Sequence, residues 1–289
     1  MTGKIKYFNS EDAAKILGVN VSTIKRWTES GTLDCIKTAG GHRKFLMSHL
    51  ASFVEENKKK NSKVNLFSLE SEQDIEISYH ILKGDYIYLN NYVLEQALNC
   101  KREKVQQVFN GLYLGQYPLH QIYDLIVTPV LHQIGFLWSE NKLSVIQEHL
   151  ASQSIKDSII RLQGIIKIPE SNSVKALCIS PSTELHDIPL KMVDHILESR
   201  GFSVLYTGQK TPTEKIEEIF DSYEPHRMYI SSTIVDNREE LQNEINYLCD
   251  AAYQRNCEAY VGGRAFDAID YSHPAIKRRL FTFEEVYRY

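Results

Sequence analysis

The feature that most constrains this chain is a pair of short helical patterns at its start, each closed by glycine and followed by a glycine-tipped turn. Residues 7–33 read YFNSEDAAKILGVNVSTIKRWTESGTL, and residues 40–45 read GGHRKF. Asn9 or Ser10 can cap a first helix, with Glu11 and Asp12 near its positive end. Ala13, Ala14, Ile16 and Leu17 supply its packing face, and Gly18 ends it. Asn20 opens a second helix, Val21 to Ser30, that Gly31 closes. In it Ile24 and Trp27, three apart, face one core. Gly40-Gly41 suits a hairpin turn, and a third helix is expected from Met47 to about Lys58. Helix, tight turn, helix and hairpin make a winged helix-turn-helix over residues 1–60.

The remainder has to be read in pieces, because 289 residues fill two or three domains. Residues 61–75 are polar and charged and read as a linker. Residues 76–168 show apolar positions at helical spacing throughout with short connections, which predicts an antiparallel four-helix bundle. In residues 169–289 the runs VKALCIS, FSVLYTG, RMYISST and EAYVGG read as strands, with helical patterns such as LKMVDHILESRG between them. That alternation predicts a doubly wound parallel sheet of flavodoxin or Rossmann type, whose ligands lie beyond the carboxyl ends of the strands. The fold class is thus multi-domain, α followed by α/β.

Composition excludes several classes. Hydrophobic residues are 43% and charged residues 24%, ordinary for a globular chain, and no apolar run is long enough to span a membrane. No apolar signal core precedes the first helix, so cytoplasmic residence is expected. Five scattered cysteines without a CxxC pair suit reduced thiols better than disulfides or zinc. The net charge of −4 hides an asymmetry. Residues 1–60 hold eleven Lys or Arg against six Asp or Glu, so a head of +5 sits on a body of −9. A basic head can hold phosphate while an acidic body stays off the duplex.

The chemistry of the head follows. Ser22, Thr23, Lys25 and Arg26 lie on the faces of the second helix that Ile24 and Trp27 leave open, and are candidates for base edges and phosphates of double-stranded DNA. His42, Arg43 and Lys44 follow two glycines at the wing tip, where the backbone can approach a duplex closely. A small protein-binding module is the alternative. These residues, AAKILGVNVSTIKRWTESGTL and GGHRKF, resemble the MerR family of transcription regulators and the related excisionases. The resemblance covers about sixty residues. It implies binding to promoter or operator DNA as a homo-oligomer, dimer or tetramer. MerR proteins pair through a long C-terminal helix; no long heptad helix is present here, so assembly falls to the later domains.

In the final third, the loop PSTELHDIPL after the first expected strand carries Glu184 and His186. A loop imidazole can offer a nitrogen to a metal, and a carboxylate two residues earlier can fix its tautomer. A solvated surface His fits the same spacing. The stretch is similar to the cobalamin-binding fold of methionine synthase and the corrinoid proteins, with its Asp/Glu-x-His-x-x-Gly, a later Ser and a Gly-Gly pair. The resemblance implies His186 as the cobalt ligand, Glu184 as its orienting partner, Ser231 or Ser232 as the serine, and Gly262 and Gly263 as the glycines along a nucleotide tail. Pro189 stands where the pattern has Gly.

The bundle extends the likeness. Trp138, nine residues, then Glu148-His149 matches light-responsive MerR regulators of the CarH and LitR type, in which such a bundle covers the upper face of the corrin ring. An amphipathic helix with a core Trp and a surface Glu-His pair is the plain alternative. Those relatives place a second His after the Trp, where this chain has Ser139, so His132 or His149 would have to stand in for it. The whole pattern implies a non-enzymatic transcription regulator, expected to be a repressor, with cobalamin, as adenosylcobalamin, controlling its oligomeric state and DNA affinity. A regulator that keeps the shell without the cofactor, or with another ligand, is the second reading. A corrinoid methyl carrier is the third.

Overall fold

A computed structural model describes residues 7–46, 48–50, 52–53 and 72–289. In the head, β1 (Tyr7–Phe8) leads to α1 (Ser10–Ile16) and α2 (Val21–Glu29), and β2 (Ile36–Lys37) and β3 (Arg43–Leu46) form the wing. Asn9 is the cap of α1. Its side chain accepts from Asp12 N–H at 2.7 Å, and Asp12 reaches back to the Asn9 N–H, a reciprocal box of about 1 kcal/mol. Gly18, Gly31 and Gly41 all take positive φ, which supplies the three turns the reading required. β1 was not anticipated. It pairs antiparallel with β3 through Tyr7 and Phe8, so the wing is a three-stranded sheet in the order β1-β3-β2. Phe8, Ile16, Ile24, Leu33 and Phe45 are fully buried, and Trp27 packs on Phe53 at 4.7 Å. Residues 48–50 and 52–53 are helical, and the rest of the expected third helix lies outside the described residues.

The expected linker is shorter than residues 61–75. Glu72 already begins α3 (Glu72–Lys83), and residues 61–71 lie outside the described ones. Then come α4 (Tyr86–Leu98), α5 (Arg102–Leu114), α6 (Leu119–Ile122), a π turn (Tyr123–Val127), α7 (Thr128–Ser139) and α8 (Val145–Leu162). Pro129 in the first turn of α7 accounts for the π turn. It has no N–H for the carbonyl four residues back and its ring crowds that oxygen, so the backbone widens there. No described helix is long and apolar enough to cross a membrane.

The chain divides into two compact units, and the division is not the one expected at 168/169. Residues 118–124 group with 159–289, and the rest of the helical region groups with the head. The second unit holds β4 (Lys175–Ile179), α9 (Ile188–Ser199), β5 (Ser203–Tyr206), α10 (Ile216–Tyr223), β6 (Arg227–Ser231), α11 (Arg238–Gln254), β7 (Glu258–Gly262), β8 (Ile276–Leu280) and α12 (Phe283–Arg288). The strands pair in parallel in the order β5-β4-β6-β7-β8. This is the flavodoxin-like order, with its reversal between β4 and β6. β8, written IKRRL, escaped the sequence reading because its edge position gives it three basic residues.

The two sheet faces differ. Leu177, Ile179, Met228, Ile230, Ala259 and Val261 join Ile216, Phe220, Leu241, Ile245 and Leu248 in an apolar core. The alternate positions on the other face are Tyr206, Cys178, Tyr229 and Tyr260, cross-strand neighbours in one row. His195 of α9 is fully buried and hydrogen-bonds Tyr123 through Nδ1 at 2.9 Å. At the carboxyl ends of β6 and β7 the backbones nearly touch. A Cβ on Gly263, at φ +102°, would lie 2.0 Å from the Ser232 carbonyl oxygen.

Two outcomes follow. Burial, with Lys191's charge behind it, pushes His195 down to about 3. The unfolded chain therefore takes up a proton below its ordinary value of about 6.5 that the folded chain refuses. Stability should fall by about 1.4 kcal/mol per pH unit as pH drops from there toward 3. Urea melts of His195→Gln should decline less steeply with acid by that amount; a parent-like slope would remove His195 as the source. Gly263→Ala should cost roughly 3 kcal/mol or more. Gly262→Ala, whose Cβ would meet only the Leu280 carbonyl at 3.3 Å, should cost about 1 kcal/mol. Equal losses would disprove the backbone-approach account.

Candidate functional site

The site begins where β4 and β6 diverge. An open parallel sheet leaves a crevice at this reversal, because the following connections leave in opposite directions. The loop after β4 runs from Ser180 to Asp187 and contains Glu184, which is 1% exposed. One carboxylate oxygen of Glu184 accepts from His186 N–H at 2.7 Å and lies 2.9 Å from His186 Nδ1. The other accepts from the N–H groups of Thr233 and Ile234 in the loop after β6. One buried carboxylate therefore ties both loops together and aims the imidazole. Burial pushes its pKa up, but the donors from His186, Thr233 and Ile234 more than offset that and hold it below the usual carboxylate range. It stays ionised at neutral pH, so it can accept from an Nδ1–H of the imidazole and hold that ring in place.

The His186 side chain is 52% exposed, and the Glu184 brace separates it from a loosely solvated surface His. Among the described residues no three His, Cys, Asp or Glu gather into a metal cluster. The arrangement suits a metal that arrives with most of its ligands already in place and needs one nitrogen from the protein. On the face that α9 covers, the strand ends carry small side chains. Ser180 follows β4, and Ser231 pairs with Gly262. The hydroxyls of Ser180 and Ser232 are buried with no hydrogen-bond partner. Small residues with unsatisfied hydroxyls at a strand terminus fit a polar group lying against them.

Ser231 has the parity of Tyr229 and so belongs to the α9 face; Ser232 has left the strand. One expectation needs correction, and one departure from the pattern is explained. Gly263 is required by the Ser232 backbone, so its absent side chain does not by itself mark room for a nucleotide tail. Pro189 falls in the first turn of α9, where its missing N–H removes nothing from the helix, so the departure from Gly is locally harmless.

In the first unit, Trp138, Ser139 and His149 are exposed and Glu148 is half-buried. Trp138 is 49% exposed, so it is no core tryptophan. Phe136, Val145, Ile146 and Leu150 stand exposed beside it in sequence around the α7–α8 turn, where an apolar surface is left without internal packing. Glu148 accepts from the Ser152 hydroxyl at 2.7 Å, and the Ser139 hydroxyl donates to the Phe136 carbonyl. His132 is exposed. The sequence reading missed the exposed neighbours of Trp138; apolar side chains in a helical run look like core until their burial is known.

In the head, Ser22, Lys25 and Arg26 are exposed along α2, and Thr23 is half-buried. His42 and Lys44 are exposed at the wing. Arg43 differs from expectation. Its Nε donates to Thr28 at 2.8 Å and its Nη2 to Glu29 at 3.1 Å, with the side chain 19% exposed. It braces the wing against the end of α2 and does not extend toward a ligand.

Comparison with known proteins agrees with this layout. A helix-turn-helix domain family model matches residues 7–58, and a B12 binding domain model matches residues 90–163. The chain is 23% identical over 280 residues to the HTH-type transcriptional repressor CarH of Myxococcus xanthus, covering 93% of this chain and 91% of that protein. It is 22% identical over 174 residues to dimethylamine corrinoid protein 3 of Methanosarcina acetivorans, covering 59% of this chain and 80% of that one. The monomethylamine corrinoid protein of Methanosarcina barkeri shares the fold, with a TM-score of 0.58 at 10% identity over 70% of this chain and 96% of that one. The chain thus carries a helix-turn-helix domain followed by a B12 binding domain, and is similar along nearly its whole length to a transcriptional repressor.

Proposed function

We propose that the chain represses transcription as a homo-oligomer on duplex DNA, and that adenosylcobalamin held by the C-terminal module controls that binding. The carrying observation is the Glu184 carboxylate, which spans the β4 and β6 loops and presents the His186 imidazole at the sheet's reversal point. His186 Nε2 is the nitrogen we assign to cobalt, with Glu184 orienting it. Ser231, Gly262 and Gly263 lie at the strand ends beneath. Trp138, Glu148 and His149 are assigned to the upper face. When bound, adenosylcobalamin supplies a cobalt–carbon bond that visible light breaks.

The residues do the rest. Glu184 accepts from Nδ1 and so fixes the ring orientation in which Nε2 is the ligand nitrogen. The exposed apolar set around Trp138 gains by covering an apolar group and loses that gain when the group leaves. Ser139, whose hydroxyl donates to the Phe136 carbonyl, would be a poor metal ligand, so a second protein nitrogen for the metal would have to come from His132 or His149. In the head, Arg26 and Ser22 are assigned to base edges, and Lys25, His42 and Lys44 to backbone phosphate or the minor groove. Thr23 adds a hydroxyl, and Arg43 holds the wing in place for them. Two linked heads bind paired sites through effective concentration, so loss of the oligomer releases DNA. The corrinoid-protein likeness favours the methyl-carrier reading for the C-terminal module alone; the exposed basic helix of the head opposes it for the whole chain.

The absorption spectrum tests the sensor. Adenosylcobalamin mixed in the dark should co-elute on gel filtration with an altered spectrum, and His186→Ala should lose that alteration. A parent spectrum in His186→Ala would refute the ligand assignment. For the head, a duplex selected by the chain from a random pool should bind Arg26→Ala about 1–3 kcal/mol more weakly. Lys25→Ala should lower the salt slope by about one. Unchanged binding in both would refute the docking.

A further inference from the structure

Cobalamin carries a nucleotide on its corrin ring, and in the free molecule the base of that nucleotide fills the lower position on cobalt. When His186 takes that position, the cobalt–nitrogen bond to the base breaks as the bond to Nε2 forms, and the displaced nucleotide needs a place. The place an open parallel sheet offers is the crevice at its reversal point, between the strand ends and α9. The side chains along that face of the sheet set how deep the crevice is.

The first row is small. Ser180 follows β4, and Ser231 at the end of β6 pairs with Gly262 of β7. The hydroxyls of Ser180 and Ser232 are buried without partners and can bond one small polar group, such as an amide on the rim of a corrin ring. Two residues earlier in each strand, about 6.6 Å deeper on the same face, stand Cys178, Tyr229 and Tyr260, neighbours in register. The rings of Tyr229 and Tyr260 stack at 5.1 Å and 15°. Tyr229 is 2% exposed and Cys178 is fully buried. α9 closes this row from the other side, with Lys191 over the Tyr206 ring at 4.7 Å and bonded to Asp194 at 2.8 Å. The crevice is therefore one row of side chains deep and floored by stacked rings. A base with its ribose and phosphate is longer than that.

We propose that the chain takes its corrinoid with the nucleotide left outside the protein, because Tyr229 and Tyr260 fill the layer between sheet and helix in which a tail would be seated. The ligand class that fits best is then a corrinoid without a lower nucleotide, which has no base to displace and no tail to house. Tyr229 is the specificity-determining residue. This rests on the reading of His186 as the cobalt ligand.

Titration of the full chain in the dark with adenosylcobalamin and with adenosylcobinamide, which lacks the nucleotide, tests it through the absorption spectrum. The parent should bind adenosylcobinamide at least tenfold more tightly. A smaller preference, equal affinity or a preference for adenosylcobalamin would overturn the closed layer. Tyr229→Ala, which removes the ring, should cut the preference at least fivefold, and Tyr229→Phe, which keeps its bulk, should retain it. A parent ratio in Tyr229→Ala, or an equal shift in Tyr229→Phe, would overturn the role of the ring. The parent ratio decides the proposal by itself if Tyr229→Ala does not fold. Binding of neither corrinoid by the parent would remove the reading of His186 and this inference together, whereas tighter binding of adenosylcobalamin would remove the inference alone.

Discussion

A single buried carboxylate organises the sensory half of this protein. Glu184 receives the N–H groups of His186, Thr233 and Ile234 and meets the His186 ring nitrogen, so both of its oxygens are satisfied. Such a group costs several kcal/mol when it is buried without partners and stabilises the fold when it has them. The partners come from loops after two strands that neighbour each other only because the sheet order reverses there. Local sequence, strand order and imidazole orientation are therefore one constraint. Removing the carboxylate would both free the ring and separate the loops.

The sheet is specialised on its two faces for the same reason. One face is packed with aliphatic side chains from three strands and two helices and needs no polar partner. The face under α9 carries Cys178, Tyr206, Tyr229 and Tyr260, then Ser231 at the strand end. On α9 it meets the Lys191–Asp194 pair, bonded at 2.8 Å, and His195. Burial raises the pKa of Tyr229 and Asp194 and lowers that of His195, so each of these groups is held toward its neutral form. A polar face this dry is costly for stability alone. It is reasonable where a polar ligand or a fixed hydrogen-bond geometry has to be accommodated beside the strand ends.

Much of this was legible in the chain itself. The head could be read because its turns are enforced by glycine: Gly18, Gly31 and Gly41 sit at positive φ in the places the pattern put them. The alternation of strand and helix announced the parallel sheet, and the Glu184–His186 spacing announced an oriented imidazole. What escaped has physical reasons. β1 is two residues long and gains its pairing only from β3, and β8 carries the basic residues of an edge. Arg43 looked like a phosphate ligand because sequence shows its charge and not its partners Thr28 and Glu29. Gly263 looked like a ligand cradle because sequence cannot show that the Ser232 carbonyl occupies the space. The division of the chain inside the π turn depends on Tyr123 meeting a residue 72 positions later, which no local pattern encodes.

The head and the sensor place different demands on rigidity. Arg43 ties the wing to the end of α2, so the two parts that would meet DNA move as one body, and a reader of spaced sites needs that. A sensor needs the opposite at one point and stiffness elsewhere, because a ligand shifts an equilibrium only by its differential affinity for two defined states. A loop tied by four polar contacts at Glu184, with a helix running straight from it, supplies that stiffness in the second unit. To move such an equilibrium from 1:99 to 99:1 takes about 5.5 kcal/mol of differential binding. Covering the apolar set left exposed around Trp138 would contribute to such a difference at roughly 25 cal/mol per Å². The physical case for a sensor therefore rests on two features, an apolar set left exposed around Trp138 and an imidazole held in one orientation by Glu184.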